Sequence, residues 1–210
     1  MRLRKKHFAI PEMKELDFVY FDETNLIGNW NKDFKNDNDI HLEIGPGKGT
    51  FISTIAQQNP NKNYIIVEVE TNALVYATRK IRDLDLKNIR VLPIDANKLE
   101  SYLSKDEISR IYIHFPNPWP KNRHHKRRLT HPRFLNLYKK FLKKGGEIYF
   151  KTDDYPLFEE SKEYFKECGY EAIYETNDMP EDFMDNIVTE YETKWRSQGI
   201  KINFGIYKLL

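Results

Sequence analysis

The chain has 210 residues, 40% of them hydrophobic, enough for one sizeable core and below the length at which chains usually split. Its net charge of +2 hides an asymmetry: residues 108–146 carry 11 Lys/Arg and no Asp or Glu, which leaves −9 for everything else. A single cysteine (Cys168) excludes an intramolecular disulfide, and with no Cys-x-x-Cys or Cys/His cluster no metal site is expected.

The start, Met1-Arg2-Leu3-Arg4-Lys5-Lys6-His7, is basic but lacks the apolar stretch of a signal peptide, and no run could cross a bilayer. A cytoplasmic protein without membrane association is expected. Residues 1–38 are polar with scattered aromatics (Phe8, Phe18, Tyr20, Phe21, Trp30, Phe34). They read either as an arm that packs loosely or orders on binding, or as a frayed terminus.

From 39 to 210 the pattern is that of one domain. Short runs rich in Ile, Val and Tyr predict strands at 40–44, 64–69, 89–94, 110–114 and 147–151. Between them lie helical spacings: Phe51, Ile52, Ile55 and Ala56; Leu74, Ala77, Ile81 and Leu84; Phe134, Leu135, Tyr138, Phe141 and Leu142. Gly145-Gly146 reads as the left-handed cap of the third. A helix is expected over 155–168, a sixth strand at 170–174, a polar irregular stretch at 177–186, a short helix at 189–196 and a last strand at 201–209. Alternation of this kind predicts an α/β fold: a seven-stranded, mostly parallel sheet with one antiparallel strand and helices on both faces.

Residues 115–128 read Phe-Pro-Asn-Pro-Trp-Pro-Lys-Asn-Arg-His-His-Lys-Arg-Arg. Three prolines forbid helix and ladder pairing in the first half. The second half holds five Lys/Arg and two His in eight residues. A rigid elbow leading into a cationic strip, on a chain whose remainder is acidic, is the footprint of a nucleic-acid binder.

Ligands of open α/β sheets bind at the carboxyl ends of the strands. There the sequence puts Glu43, Glu68, Asp95, Asn117 and the pair Asp153-Asp154, one polar group for each of five strands. The loop after the first strand, Gly45-Pro46-Gly47-Lys48-Gly49, departs from the dinucleotide fingerprint because its third glycine comes too early. Acidic neighbours disfavour a pyrophosphate and favour a ligand carrying an ammonium and a sulfonium, such as S-adenosylmethionine. Glu68, 23 residues past Gly45, suits the two ribose hydroxyls, and Asp95 the adenine edge.

Taken together, Glu43-x-Gly-x-Gly-x-Gly, Glu68, Ile94-Asp95-Ala96, Pro118-Trp119-Pro120-Lys121-x-Arg123-His124-x-Lys126-Arg127-Arg128-Leu129, Phe150-Lys151-Thr152-Asp153 and Thr189-Glu190-Tyr191-Glu192 resemble the bacterial tRNA (guanine-N7)-methyltransferases over nearly the whole chain. The proline–tryptophan–basic stretch is highly specific; the glycine loop is not. The resemblance implies a Rossmann-like methyltransferase fold and a guanine in the variable loop of tRNA (position 46) as substrate. The products would be 7-methylguanosine and S-adenosylhomocysteine. It implies that Glu43, Gly45, Gly47, Gly49, Glu68, Asp95 and Asn117 contact the cofactor. Lys121, Asp153, Thr189, Glu190, Tyr191 and Glu192 would hold the substrate, and Arg123, His124, His125, Lys126, Arg127 and Arg128 the RNA. Asn117 and Asp153 would be the catalytic positions. The family usually has Asp at 117; Asn keeps the shape and an acceptor oxygen and loses the charge.

Guanine N7 carries an in-plane lone pair, so no base need activate it, and alignment is the main task. Asp153 and Glu192 are expected to hold the N1–H and amino edge of the base and to stabilise the charge that appears on its ring. A plain alternative for Asp153 is a helix N-cap. Lys139, Lys140, Lys143 and Lys144 are expected to extend the basic strip, and Trp119 either stacks on a base or packs under the elbow. Two rivals stay open. Asn117-Pro118-Trp119 partly matches the Asn-Pro-Pro-aromatic motif of exocyclic-amine methyltransferases, and a non-catalytic RNA-binding protein could keep the fold. A dehydrogenase ranks lowest. Monomer and homodimer are equally compatible with the sequence.

Overall fold

The computed structural model describes residues 6–22, 24–184 and 186–210. Its strands are β1 (Ile40–Ile44), β2 (Asn63–Val67), β3 (Ile89–Leu92), β4 (Ile108–His114), β5 (Leu142–Thr152), β6 (Tyr170–Thr176) and β7 (Asn203–Leu209). They make a seven-stranded sheet in the order β3-β2-β1-β4-β5-β7-β6, with β7 antiparallel to both of its neighbours. The chain divides into two compact units, the first ending at Tyr102 and the second starting at Leu103.

In the first unit β1, β2 and β3 run parallel, with Ile40 opposite Asn63 and Tyr64 opposite Ile89. Every residue of β1 and β2 is buried, as expected of parallel strands covered on both faces. Helix α3 (Thr50–Gln58) follows β1 and buries Phe51, Ile52, Ile55 and Ala56. Helix α4 (Thr71–Asp83) buries Leu74, Ala77 and Ile81 and opens on a Glu70 cap. Leu84, assigned by spacing to its apolar stripe, falls one residue beyond the helix and is exposed.

Among the described residues before β1, two short helices pack into the first unit rather than lying loose. Helices α1 (Ala9–Lys14) and α2 (Trp30–Phe34) bury Met13 and Trp30 completely. The Trp30 indole donates to the Tyr102 carbonyl at 2.8 Å. Val19 bridges to Val91 in β3 and Glu12 pairs with Arg79; of the scattered aromatics Trp30 and Phe34 are buried in the core of this unit, while Phe8 is exposed.

In the second unit β4 and β5 are parallel. Helix α5 (Pro132–Tyr138) starts on a His131 cap with Pro at its first turn, where a missing N–H costs nothing. It stops seven residues short of Gly145. Phe141 and Leu142 continue the helical spacing yet are buried at the entry to β5, because an apolar pair fits either element. Gly145, at φ +77°, therefore lies within β5, where the ladder jumps from Ile108–Leu142 to Arg110–Glu147. A bulge of this kind needs a residue that tolerates a left-handed backbone. Helix α6 (Tyr155–Glu167) leads to β6, and α7 (Glu190–Arg196) precedes β7. The stretch expected to be irregular contributes Met179, buried with Ile202, Phe204 and Ile206, and Phe183 packed against them.

Candidate active site

Three predicted cofactor carboxylates stand at the carboxyl ends of the first unit's strands. Glu43 is buried near the end of β1. Glu68, half-buried just past β2, accepts from the Glu70 amide at 2.8 Å. Burial raises its pKa above the usual carboxylate range, against the lowering effect of the Glu70 and Val69 amides. Asp95 is exposed past β3 and accepts from both the amide and the side chain of Asn97, at 2.8 and 2.6 Å.

The three glycines of the loop have left-handed backbones but two different jobs. At Gly49 (φ +78°) a Cβ would stand 2.6 Å from that of Ala77, so its absence lets α3 and α4 approach. At Gly45 and Gly47 nothing lies within 4 Å of a Cβ position, which leaves their backbone open to a ligand. Acceptor carboxylates around an open glycine backbone fit a ligand that presents hydroxyl and ammonium donors, and so fit S-adenosylmethionine.

The second unit gathers the substrate candidates. The elbow starts at Phe115 (φ +49°), whose amide extends the ladder to the Lys151 carbonyl at 2.7 Å. Trp119 (φ +44°) is the elbow's second left-handed residue, and such backbones cost about 1–3 kcal/mol each and cluster at functional sites. Asn117, exposed, accepts from the Trp119 amide at 3.0 Å. The Pro118 carbonyl accepts from Arg128 Nε at 2.8 Å. Both oxygens that an exocyclic-amine enzyme would direct at its substrate are thus engaged within the chain.

Asp153 follows β5 and is half-buried. The cap of α6 is its neighbour Asp154, which accepts from the Leu157 amide at 2.8 Å, so the capping alternative for Asp153 is incorrect. Burial, with Asp154 adding to it, raises the pKa of Asp153, while Lys194 acts the other way. The nearby Tyr191 ring is 44% exposed and lies 4.9 Å from that of Phe115. Burial raises the Tyr191 pKa, with a further contribution from Asp153.

Glu192 does not stand free to meet a base. It is fully buried; its Oε2 accepts from Lys151 Nζ at 2.7 Å and its Oε1 from Arg196 at 2.7 and 2.9 Å. Lys151 also donates to Asn186 at 2.9 Å. Burial pushes the Glu192 pKa up, but Lys151, Arg196 and Asn186 outweigh it and hold the carboxyl below its usual range. Thr189 caps α7, accepting from the Glu192 amide, and Glu190 is exposed. Lys151 stands in a stretch that carries the resemblance, but the sequence gives neither it nor Arg196 a role of its own. The available signal was a lysine placed among the buried residues of a strand, where an unpaired charge is costly.

Of the basic strip, Lys121, Arg123, Lys126 and Arg127 are exposed and His124 and His125 are half-buried. The Arg127 guanidinium lies 5.0 Å over Trp119, and His124 meets the same ring edge-on at 5.6 Å. Trp119 therefore packs with its own strip. Arg128 is 5% exposed and bonded to Pro118, Glu160 and His125, so it is not a free phosphate contact. Lys143 and Lys144 do not extend the strip. They lie where β5 pairs with the start of β4, seven residues from the end that carries the elbow, on the order of 20 Å away. Among the described residues no group of three His, Cys, Asp or Glu could hold a metal, and no helix is long and apolar enough to cross a membrane.

Residues 37–204 match the family model described as "Putative methyltransferase". A curated relative from Clostridium tetani (strain Massachusetts / E88), named tRNA (guanine-N(7)-)-methyltransferase, is 51% identical over 210 residues and is covered 100%, as is this chain. A relative of the same name from Clostridium acetobutylicum is 47% identical with the same coverage. Among solved structures, a SAM dependent methyltransferase from Aquifex aeolicus shares the fold with a TM-score of 0.59 at 15% identity, over 95% of this chain and 98% of that one. With full-length relatives at this level of identity, the chain belongs to the tRNA (guanine-N(7)-)-methyltransferase family.

Proposed function

We propose that this protein methylates N7 of a guanine in the variable loop of tRNA, in the cytoplasm, with S-adenosylmethionine as donor. The observation that carries the reading is Asp153: a half-buried carboxylate released from capping by Asp154, with the exposed Tyr191 ring nearby.

Bound cofactor supplies a methyl group activated by its sulfonium. Glu68 accepts from ribose hydroxyls, Asp95 addresses the adenine edge, Glu43 faces the ammonium, and the Gly45 and Gly47 backbone lets the ligand approach. Asp153 accepts from the N1–H and amino group of the guanine, which orients N7 and offsets the positive charge that appears on the ring. Tyr191 offers an exposed face to the base, and Thr189 and Glu190 border it. Lys121, Arg123, Lys126 and Arg127 meet phosphates, with His124 beside them. No residue has to remove a proton from N7. Orientation is the main contribution asked of the protein, and alignment can supply roughly 7–11 kcal/mol.

The engaged oxygens of Asn117 and Pro118 weigh against transfer to an exocyclic amine, which needs two acceptors for its hydrogens. Incubating purified protein with unmodified tRNA and methyl-labelled cofactor, then identifying the nucleoside by mass spectrometry, tests the proposal. A labelled 7-methylguanosine from the variable loop is expected; N6-methyladenosine would overturn the reading. Calorimetry that finds no cofactor binding would point instead to a non-catalytic RNA-binding protein.

A further inference from the structure

We infer that Arg128 and Glu160 are positioning residues, a clamp that holds the Asn117 elbow against α6, and that Arg128 is not one of the RNA contacts. The inference rests on the function proposed above and assigns the arginine a different task from its exposed neighbours.

Arg128 ends the basic strip, yet it is buried where Arg123, Lys126 and Arg127 are exposed. Its donors point inward. Nε reaches the Pro118 carbonyl at 2.8 Å, Nη1 pairs with Glu160 Oε2, and Nη2 lies 2.9 Å from His125 Nε2. Glu160 gathers the other ends of the cluster. Its Oε1 stands 3.2 Å from His125 Nδ1 and accepts from the Tyr164 hydroxyl. Burial acts to raise the Glu160 pKa, but Tyr164 and Arg128 hold the carboxyl below its usual range. One carboxylate on α6 thus fixes both Arg128 and His125 of the strip.

The placement gives the clamp its purpose. Pro118 directly follows Asn117, while α6 directly follows Asp153-Asp154, and Glu160 lies two turns into that helix. The bonds Pro118–Arg128–Glu160 therefore tie the segment bearing Asn117 to the helix that starts beside Asp153. The elbow has no ladder partner between Pro116 and Pro120 and carries a left-handed Trp119, so something outside it must set its position. A planar guanidinium does this by donating from three separate nitrogens at fixed angles; the three donors of an ammonium all leave one nitrogen and cannot span the same acceptors. A phosphate contact would show instead in the salt dependence of tRNA binding.

That difference defines the experiment. Full-length wild type, Arg128→Lys, Glu160→Gln and Arg123→Ala are compared in three readouts: kcat on unmodified tRNA, the slope of log tRNA affinity against log salt, and the rate of limited trypsin cleavage within 121–128. The clamp predicts that Arg128→Lys and Glu160→Gln each lower kcat on the order of 100-fold while KM and the salt slope stay those of wild type. It predicts that tryptic cleavage in the strip rises about tenfold, since the segment opens more often. Arg123→Ala is to do the reverse, flattening the slope by about 0.7–0.9. Wild-type kcat in Arg128→Lys, or a Glu160→Gln variant with unchanged kcat and cleavage, would overturn the clamp. Should Arg128→Lys lose its cooperative melt, the half-exposed Glu160→Gln decides alone. A wild type that forms no 7-methylguanosine counts against the proposed function only, because the cleavage readout tests the clamp without any substrate.

Discussion

Asp153 and Glu192 are both acids of the second unit, and the sequence offers them for the same job. Their surroundings separate them. Asp153 is half-buried, near one lysine, Lys194, and next to a second acid that takes the capping role. Glu192 is fully buried and satisfied by Lys151, Arg196 and Asn186. One keeps acceptor capacity for a ligand; the other spends it on fixing α7, and with α7 the position of Tyr191. A carboxylate in a stretch proposed to bind substrate can therefore act by holding its neighbours in place.

The largest effect that could break this contrast is on stability. Lys151→Met would leave Glu192 with one of its two cations in a dry site, and removing a partner from a buried pair costs about 3–5 kcal/mol. Urea unfolding should record that loss; a change below about 1 kcal/mol would mean that Glu192 does not depend on Lys151. Next comes activity. Asp153→Asn should lower kcat about 100- to 1,000-fold, the range for losing one preorganised group at a developing charge. Cofactor affinity by calorimetry should stay within about twofold, since the carboxylates proposed to hold the cofactor are untouched. Equal losses in both would make Asp153 a cofactor residue.

A smaller effect is expected at the cap. Thr189→Ala removes an acceptor from the first turn of α7, worth about 1 kcal/mol, and should raise KM more than it lowers kcat. The smallest signature is in pH. With its pKa raised, Asp153 contributes stability that is present below its unfolded pKa and lost as pH rises through the folded one. Glu192, with its pKa lowered, contributes stability that is present above its unfolded pKa and lost as pH falls through the folded one. Melting temperatures across the acid range should show slopes of opposite sign removed by Asp153→Asn and Glu192→Gln, and kcat should rise with pH as Asp153 ionises.

The strands of the first unit were legible because they are short stretches rich in Ile, Leu and Val between turn signals; β1 falls on the residues expected even though His41 and Glu43 interrupt it. The strand-end acids followed from topology. What stayed hidden depends on contacts between residues distant in sequence. Phe141 and Leu142 suit helix or strand, and only pairing with Ile108 decides for β5. Met13 and Trp30 look like isolated apolar residues in a polar arm until α4 packs against the helix of Met13, and Tyr20 and Tyr102 meet Trp30. Arg128 cannot be told from Arg127 by composition; a glutamate 32 residues away makes the difference. Charge patterning finds a basic segment but cannot say that the sheet carries its two parts to opposite ends.

The place of β7 has a consequence for how the enzyme comes into being. It lies between β5 and β6 and pairs with both, Thr152 meeting Asn203 across an interval of 51 residues. During synthesis β5 and β6 have emerged long before, with the edges that β7 will fill still unpaired. The floor beside Asp153, including Phe204 and the core around Met179, cannot close until residues 203–209 leave the ribosome. The first unit has no such dependence, since β1, β2 and β3 pair in the order they are made. A nascent chain would thus carry a formed first unit well before the second could close, and the sheet beside Asp153 would be complete only with the last strand.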